Sequence, residues 1–123
     1  MTDRLTEGIK FFNAGHYFEA HEAWEDVWRL EEGPLRLFYQ GLIHAAVGLH
    51  HRSRGNRVGM TAQLKKCLAR LDPYPRTVAG INLEQLRQDI RKLLDESAVR
   101  ASRPIRIVRM KKNPVVVNSQ GTF

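Results

Sequence analysis

Residues Gly15 to Arg29, GHYFEAHEAWEDVWR, constrain this chain more than any other stretch, because they interleave aromatic rings, glutamates and histidine at helical spacing. At about 100° per residue, a helix through them puts Tyr17, Ala20, Trp24, Val27 and Trp28 on one face. Glu19, Glu22, Asp26 and Arg29 fall largely on the other, which makes an amphipathic helix. His21 and Glu25 break the pattern. Four positions apart, they lie one above the other on the shoulder of the apolar face, beside Tyr17 and Trp28, where polar groups need partners. Two readings compete. The pair hydrogen-bonds to a neighbouring helix and fixes its packing, or it lines a pocket as base, acid or metal ligand, with Glu22 as a further catalytic candidate.

The run H-x-x-x-E-x-x-W followed by arginine, here His21, Glu25, Trp28 and Arg29, is preceded by F-N-x-G-x-Y-F-E-A-H-E, which contains Tyr17. Together they resemble the signature of the DUF309 family, small helical bacterial and archaeal domains of unknown function. Gln40 in Gln40-Gly41-Leu42-Ile43, and the Arg54-Gly55-Asn56 turn with Gly59, extend the likeness, so that it covers roughly residues 6 to 71. The resemblance implies a compact all-α domain and brings no established activity.

A chain of 123 residues is long enough for one core and too short for two. No apolar run follows Met1-Thr2-Asp3-Arg4, and the longest apolar stretch, Leu42 to Leu49, contains His44 and cannot span a bilayer. The expectation is therefore a cytoplasmic protein with no membrane partner. The single cysteine, Cys67, excludes an internal disulfide framework and a multi-cysteine zinc site. Its place between Leu64, Leu68 and Leu71 marks a small core residue.

Read in order, the chain predicts five helices. Thr2 is the candidate N-cap of the first, which carries Leu5, Ile9, Phe11 and Phe12 and stops at Asn13-Ala14-Gly15. The signature helix runs to about Leu30, and Pro34 suits the first turn of a third helix reaching about Ser53. Phe38, Tyr39, Leu42, Ile43, Ala45, Ala46 and Leu49 spread over a broad arc, which makes that helix central. Asn56 caps a fourth helix through Met60, Leu64 and Leu71, ended by Asp72-Pro73-Tyr74-Pro75. A loop through Gly80 leads to Asn82, spaced from Gln85 as in a capping box, and to a fifth helix striped by Leu83, Leu86, Ile90, Leu93 and Leu94. Ile105 to Met110 and Val115 to Val117 read as extended, either an arm laid on the domain or a flexible tail. The five helices alone are expected to account for the core.

Gly15-His16 and Gly55-Asn56 each close one helix and open another forty positions apart, a weak internal repeat. The first also resembles the turn of tetratricopeptide units. The expected fold is a compact all-α bundle of about five helices, built from two helical hairpins with tetratricopeptide-like pairing, a C-terminal helix and an extended basic tail. The domain division is residues 1–99 for the helical part and 100–123 for the tail.

The chemical inventory is short, with no phosphate-binding glycine loop and no H-E-x-x-H. Histidines stand at 16, 21, 44, 50 and 51, and Gln40, His44, Val47 and His51 form one stripe of the third helix. Antiparallel packing of the second and third helices would set His21 and Glu25 opposite Ala46 to His51. His21, Glu25 and His50 or His51 could then hold zinc, manganese or iron in a hydrolase-like site. The opposing reading is a non-catalytic interaction or scaffold module that binds a protein partner or itself. In it, Glu25 accepts hydrogen bonds from the Gly55-Asn56 turn or from Gln40, with His21 and Arg29 holding it. A third reading uses the basic run Arg103, Arg106, Arg109, Lys111 and Lys112 to bind nucleic acid.

Overall fold

Two glycines in the left-handed region, Gly15 at φ 83° and Gly55 at φ 74°, mark the turns on which the architecture is built. The computed structural model describes residues 3–95 and 105–110. Its helices are α1 (Arg4–Asn13), α2 (Tyr17–Leu30), α3 (Arg36–Ser53), α4 (Arg57–Leu71) and α5 (Leu83–Asp95), with a small hairpin of β1 (Thr77–Val78) and β2 (Ile81–Asn82) before α5. The fold is all-α, and successive helices pack on one another from α1 through α4.

The forty-residue repeat is reproduced bond for bond. Gly15 N–H donates to the Phe12 carbonyl as Gly55 N–H does to that of Arg52. His16 N–H donates to the Phe11 carbonyl as Asn56 N–H does to that of His51, which is the closing pattern of a left-handed helix cap. The equivalence reaches into the packing. A Cβ on Gly8 would overlap the Trp24 indole, and one on Gly48, forty positions on, would lie 2.7 Å from Leu64, the counterpart of Trp24. Each hairpin thus closes by placing a glycine against one large side chain of its partner helix. Trp24 is fully buried, and its Nε1–H donates to the Leu5 carbonyl at 3.1 Å.

Helix ends follow local chemistry. Asp3 accepts the Thr6 N–H at 2.7 Å and so caps α1, a role the sequence assigned to Thr2, which lies outside the described residues. Asn56 accepts the Gly59 N–H at 2.9 Å, and Asn82 accepts that of Gln85 at 3.1 Å. The Gln85 side chain turns forward to Asp89 rather than back, so only half of a capping box forms. The helix α3 starts at Arg36 with no side-chain cap of its own. Tyr74, from the segment after α4, supplies one: its hydroxyl accepts the Phe38 N–H at 3.0 Å and donates to the Pro34 carbonyl.

The core holds Phe12, Trp24, Phe38, Leu42, Leu49, Leu64, Leu71, Leu86 and Ile90, and Cys67 sits within it. Burial pushes the Cys67 thiol up, so it is a packed, protonated side chain. Arg87 is the one buried charged residue among those described, and it donates to the carbonyls of Leu71, Tyr74 and Pro75 and to Glu84, tying α5 to the end of α4.

Two features depart from the sequence expectation. Residues 77–82, read as loop, form the hairpin, with Ala79 at φ 52° and Gly80 at φ 75° making its two-residue turn. The five helices also do not complete the core alone. Ile105 and Ile107 are buried in it, and the 105–110 segment bonds to the hairpin through Asn82 N–H to the Val108 carbonyl and Met110 N–H to the Gly80 carbonyl. Asn13 on α1 grips the same segment from the other side, exchanging bonds of 2.9 and 2.8 Å with the Ile107 carbonyl and N–H. Val115 to Val117 lie outside the described residues.

Candidate functional site

The signature side chains gather along one ridge of α2. Ala20, Ala23 and Trp24 turn inward, which leaves His21, Glu25 and Arg29 as an i, i+4, i+8 series on the shoulder of the helix. His21 Nε2 is 3.1 Å from one Glu25 carboxylate oxygen, and the Arg29 guanidinium is 3.4 Å from the other. All three residues belong to one helix. The expected bonds from Gln40 or Asn56 to Glu25 are not what forms: Arg70 donates to Gln40 at 2.9 Å, and Asn56 meets His51 at 3.2 Å. Glu22 is exposed on the solvent side of α2.

Trp28 closes the ridge. The Arg36 guanidinium lies 4.1 Å from the centre of its ring while donating to the carbonyls of Trp28 and Glu31, which clamps the end of α2 to the start of α3.

A pocket of about 220 Å³ opens between the first half of α2 and the second half of α3, lined by Tyr17, Phe18, His21, Val47 and His50. Rings form most of its wall: Phe18 lies 5.6 Å from His21 and 6.2 Å from His50, centre to centre. Burial raises the Tyr17 phenol above its usual range, with Arg52 opposing that shift. One polar atom of His21 is unusual. With Nε2 committed to Glu25, His21 Nδ1 is buried and has no hydrogen-bond partner in the protein. Trp28 Nε1 is in the same state.

The remaining sequence candidates separate in space. His50 faces the pocket, whereas His51 turns toward α4 and meets Asn56. His44 pairs with Gln63 at 2.8 Å, and burial holds its imidazole below the usual range. Gln40–Arg70, His44–Gln63 and His51–Asn56 thus form three polar rungs between α3 and α4. Gly55 and Asn56 build the turn of that hairpin. Among the described residues no three of His, Cys, Asp or Glu come together in a metal-holding group. In the basic tail, Arg106 is exposed and Arg109 donates to Thr6 at 3.0 Å, whereas Arg103, Lys111 and Lys112 lie outside the described residues. Neither the unpartnered His21 nitrogen nor Phe18 as a pocket wall is legible from residue spacing, because both depend on which residues of α3 face α2.

Residues 5–62, which hold the whole ridge and pocket, match the family described as a domain of unknown function, DUF309. Those residues are a DUF309 domain. An uncharacterised protein of Aquifex aeolicus (strain VF5) is 33% identical over 91 residues, 73% of this chain. The match spans 27% of that relative's length. No described helix of this chain is long and apolar enough to cross a membrane.

Proposed function

We propose that this DUF309 domain is a non-catalytic interaction module that works in the cytoplasm, and that the pocket between α2 and α3 receives an aromatic or aliphatic group of its partner. The observation that carries this reading is the buried His21 Nδ1, unpartnered beside a wall of rings. A buried nitrogen without a hydrogen bond costs about 1–3 kcal/mol, which a ligand group bonding to it would recover. The apolar lining selects a ring or branched chain, and the single polar atom orients it. The buried, protonated Cys67 accords with a reducing compartment.

The test is a titration of the isotope-labelled protein with indole, phenol and benzamide, followed by NMR. Shifts confined to Tyr17, Phe18, His21, Val47 and His50, and lost in Val47→Phe, are the expected result. Shifts scattered over the surface, or none with any probe, overturn the reading.

A second reading is kept by one observation: His21 and His50 line the same pocket, and Glu25 holds His21 by its other nitrogen. A carboxylate that orients a histidine in this way is the arrangement found behind many metal ligands. Thermal melting of the parent and of His50→Ala with and without zinc or manganese tests it. A metal-dependent rise in the parent that the variant lacks favours a metal-dependent, hydrolase-like site, and no rise in either rejects it.

A further inference from the structure

Charge is partitioned between the two hairpins. Residues 3–32, which hold α1 and α2, carry eight of the chain's Asp and Glu and three Lys or Arg. From Gly33 to Leu71, through all of α3 and α4, there is no acid, and there are seven Lys or Arg. The net basic charge of the helical bundle therefore sits on the α3–α4 hairpin.

The two sides also differ in how their charges are used. On the acidic hairpin Glu7, Glu25 and Asp26 are engaged by Arg4, His21 and Arg29, Asp3 caps α1, and Glu31 accepts the Gly33 N–H. On the basic hairpin Arg36 and Arg70 are engaged by neutral acceptors. Arg54, Arg57, Lys65 and Lys66 are exposed, and among the described residues none has a carboxylate partner. We infer that the α3–α4 hairpin is a docking face for a nucleic-acid backbone.

Geometry supports a polyanion over a small anion. Arg57 to Arg70 span about 20 Å of helix axis, the length of about six stacked base pairs. At about 100° per residue Lys66 falls next to the α4 stripe of Asn56, Gln63 and Arg70, whose rungs to His51, His44 and Gln40 offer donors and acceptors to sugar, phosphate or base edges, while Arg57 and Lys65 lie across the outward stripe of the helix. Arg70 and Lys66 both act against protonation of His44, which places their charge close to the His44–Gln63 rung. A bilayer is the poorer fit. Between the two lysines the outward stripe of α4 holds only Val58, Ala62 and Ala69, without the Trp, Phe or Leu that an interfacial helix buries. A second copy is also the poorer fit, since the acidic hairpin has already spent much of its charge internally. The inference is independent of the pocket.

The experiment is fluorescence anisotropy of labelled single- and double-stranded oligonucleotides with the full chain, over sodium chloride from low to physiological concentration. The affinity is expected to fall with salt. The triple variant Arg57→Gln/Lys65→Gln/Lys66→Gln should bind about tenfold or more weakly, with a salt slope shallower by about two to three. Its melting temperature, read alongside, separates lost binding from lost fold, and Lys65→Gln alone gives a graded second point. The tail variant Arg103→Gln/Lys111→Gln/Lys112→Gln should retain binding. The inference is overturned if the tail variant alone loses binding or if no oligonucleotide binds. Binding only to phosphatidylserine vesicles overturns it too, as does salt-sensitive self-association in light scattering without oligonucleotide binding.

Discussion

His21 and Glu25 are held side by side by one turn of α2, imidazole Nε2 to carboxylate Oε2 at 3.1 Å, with Arg29 on the far carboxylate oxygen. Because every partner of Glu25 lies on its own helix and the carboxylate is a third exposed, the series stiffens α2 and does not clasp two helices. Glu25→Gln and Glu25→Ala are each expected to cost less than about 1 kcal/mol in urea unfolding, the scale of exposed i, i+4 pairs. A loss of several kcal/mol would mean that Glu25 braces a second element.

Gly8→Ala should be among the most damaging small changes in the protein. The added methyl overlaps the buried indole of Trp24 and displaces its bond to the Leu5 carbonyl, so a loss of about 2–3 kcal/mol is expected. Gly48→Ala meets Leu64 at 2.7 Å, a smaller overlap than the 2.2 Å at the Trp24 indole, and should lose less. Thermal melts of the two variants side by side check the order.

Residues 105–110 should prove essential to stability. Ile107→Ala is expected to cost about 2–4 kcal/mol, and Asn13→Ala about 1–3 kcal/mol by leaving the Ile107 backbone groups unpaired. Truncation after residue 104 should therefore lower the melting temperature sharply, and an unchanged melt would show the arm to be dispensable.

Arg87 stands where three carbonyls converge, and Arg87→Ala removes the side-chain donor from all three, leaving the Leu71 carbonyl only the Tyr74 N–H. The expected loss is about 3–5 kcal/mol. Arg87→Met restores volume without restoring the bonds, so a full recovery of stability in urea titration by that variant would contradict this account.

The pH dependence near neutrality should carry the mark of His44. Its folded pKa lies below the ordinary 6.5 because burial disfavours the charged ring. The unfolded chain therefore binds the proton first, and stability should rise with pH from the folded pKa up to about 6.5. At the acid end Asp3, held below its usual range by the Thr6 N–H, contributes stability that is lost as pH falls through its folded value. Melting curves from pH 5 to 7.5 should climb in the parent and flatten in His44→Gln.

Much of the architecture is written in local signals. Gly15 and Gly55 announce their turns, Asn56 and Asn82 their helices, and the apolar arc of α3 its central place. The hairpin escaped notice because two-residue strands show no alternation and Ala79-Gly80 is not the usual pair for such a turn. Arg87 reads as an ordinary surface charge until the carbonyls after α4 are seen to need it. The charge partition is present in the sequence too, but its boundaries are those of the hairpins, so it stands out only once Gly33 to Leu71 are seen to pack as one unit. Of the site, the His21–Glu25 pairing follows from helical spacing alone. The pocket does not, since it depends on the rotation of α3 against α2.

Arg109 bonds to Thr6, and Ile107 to Asn13, across nearly the full span of the described chain. Its way in and its way out therefore lie next to each other. A module with adjoining entrance and exit can be spliced into a loop of a host protein without prising that loop apart, or rejoined head to tail and reopened at Gly33.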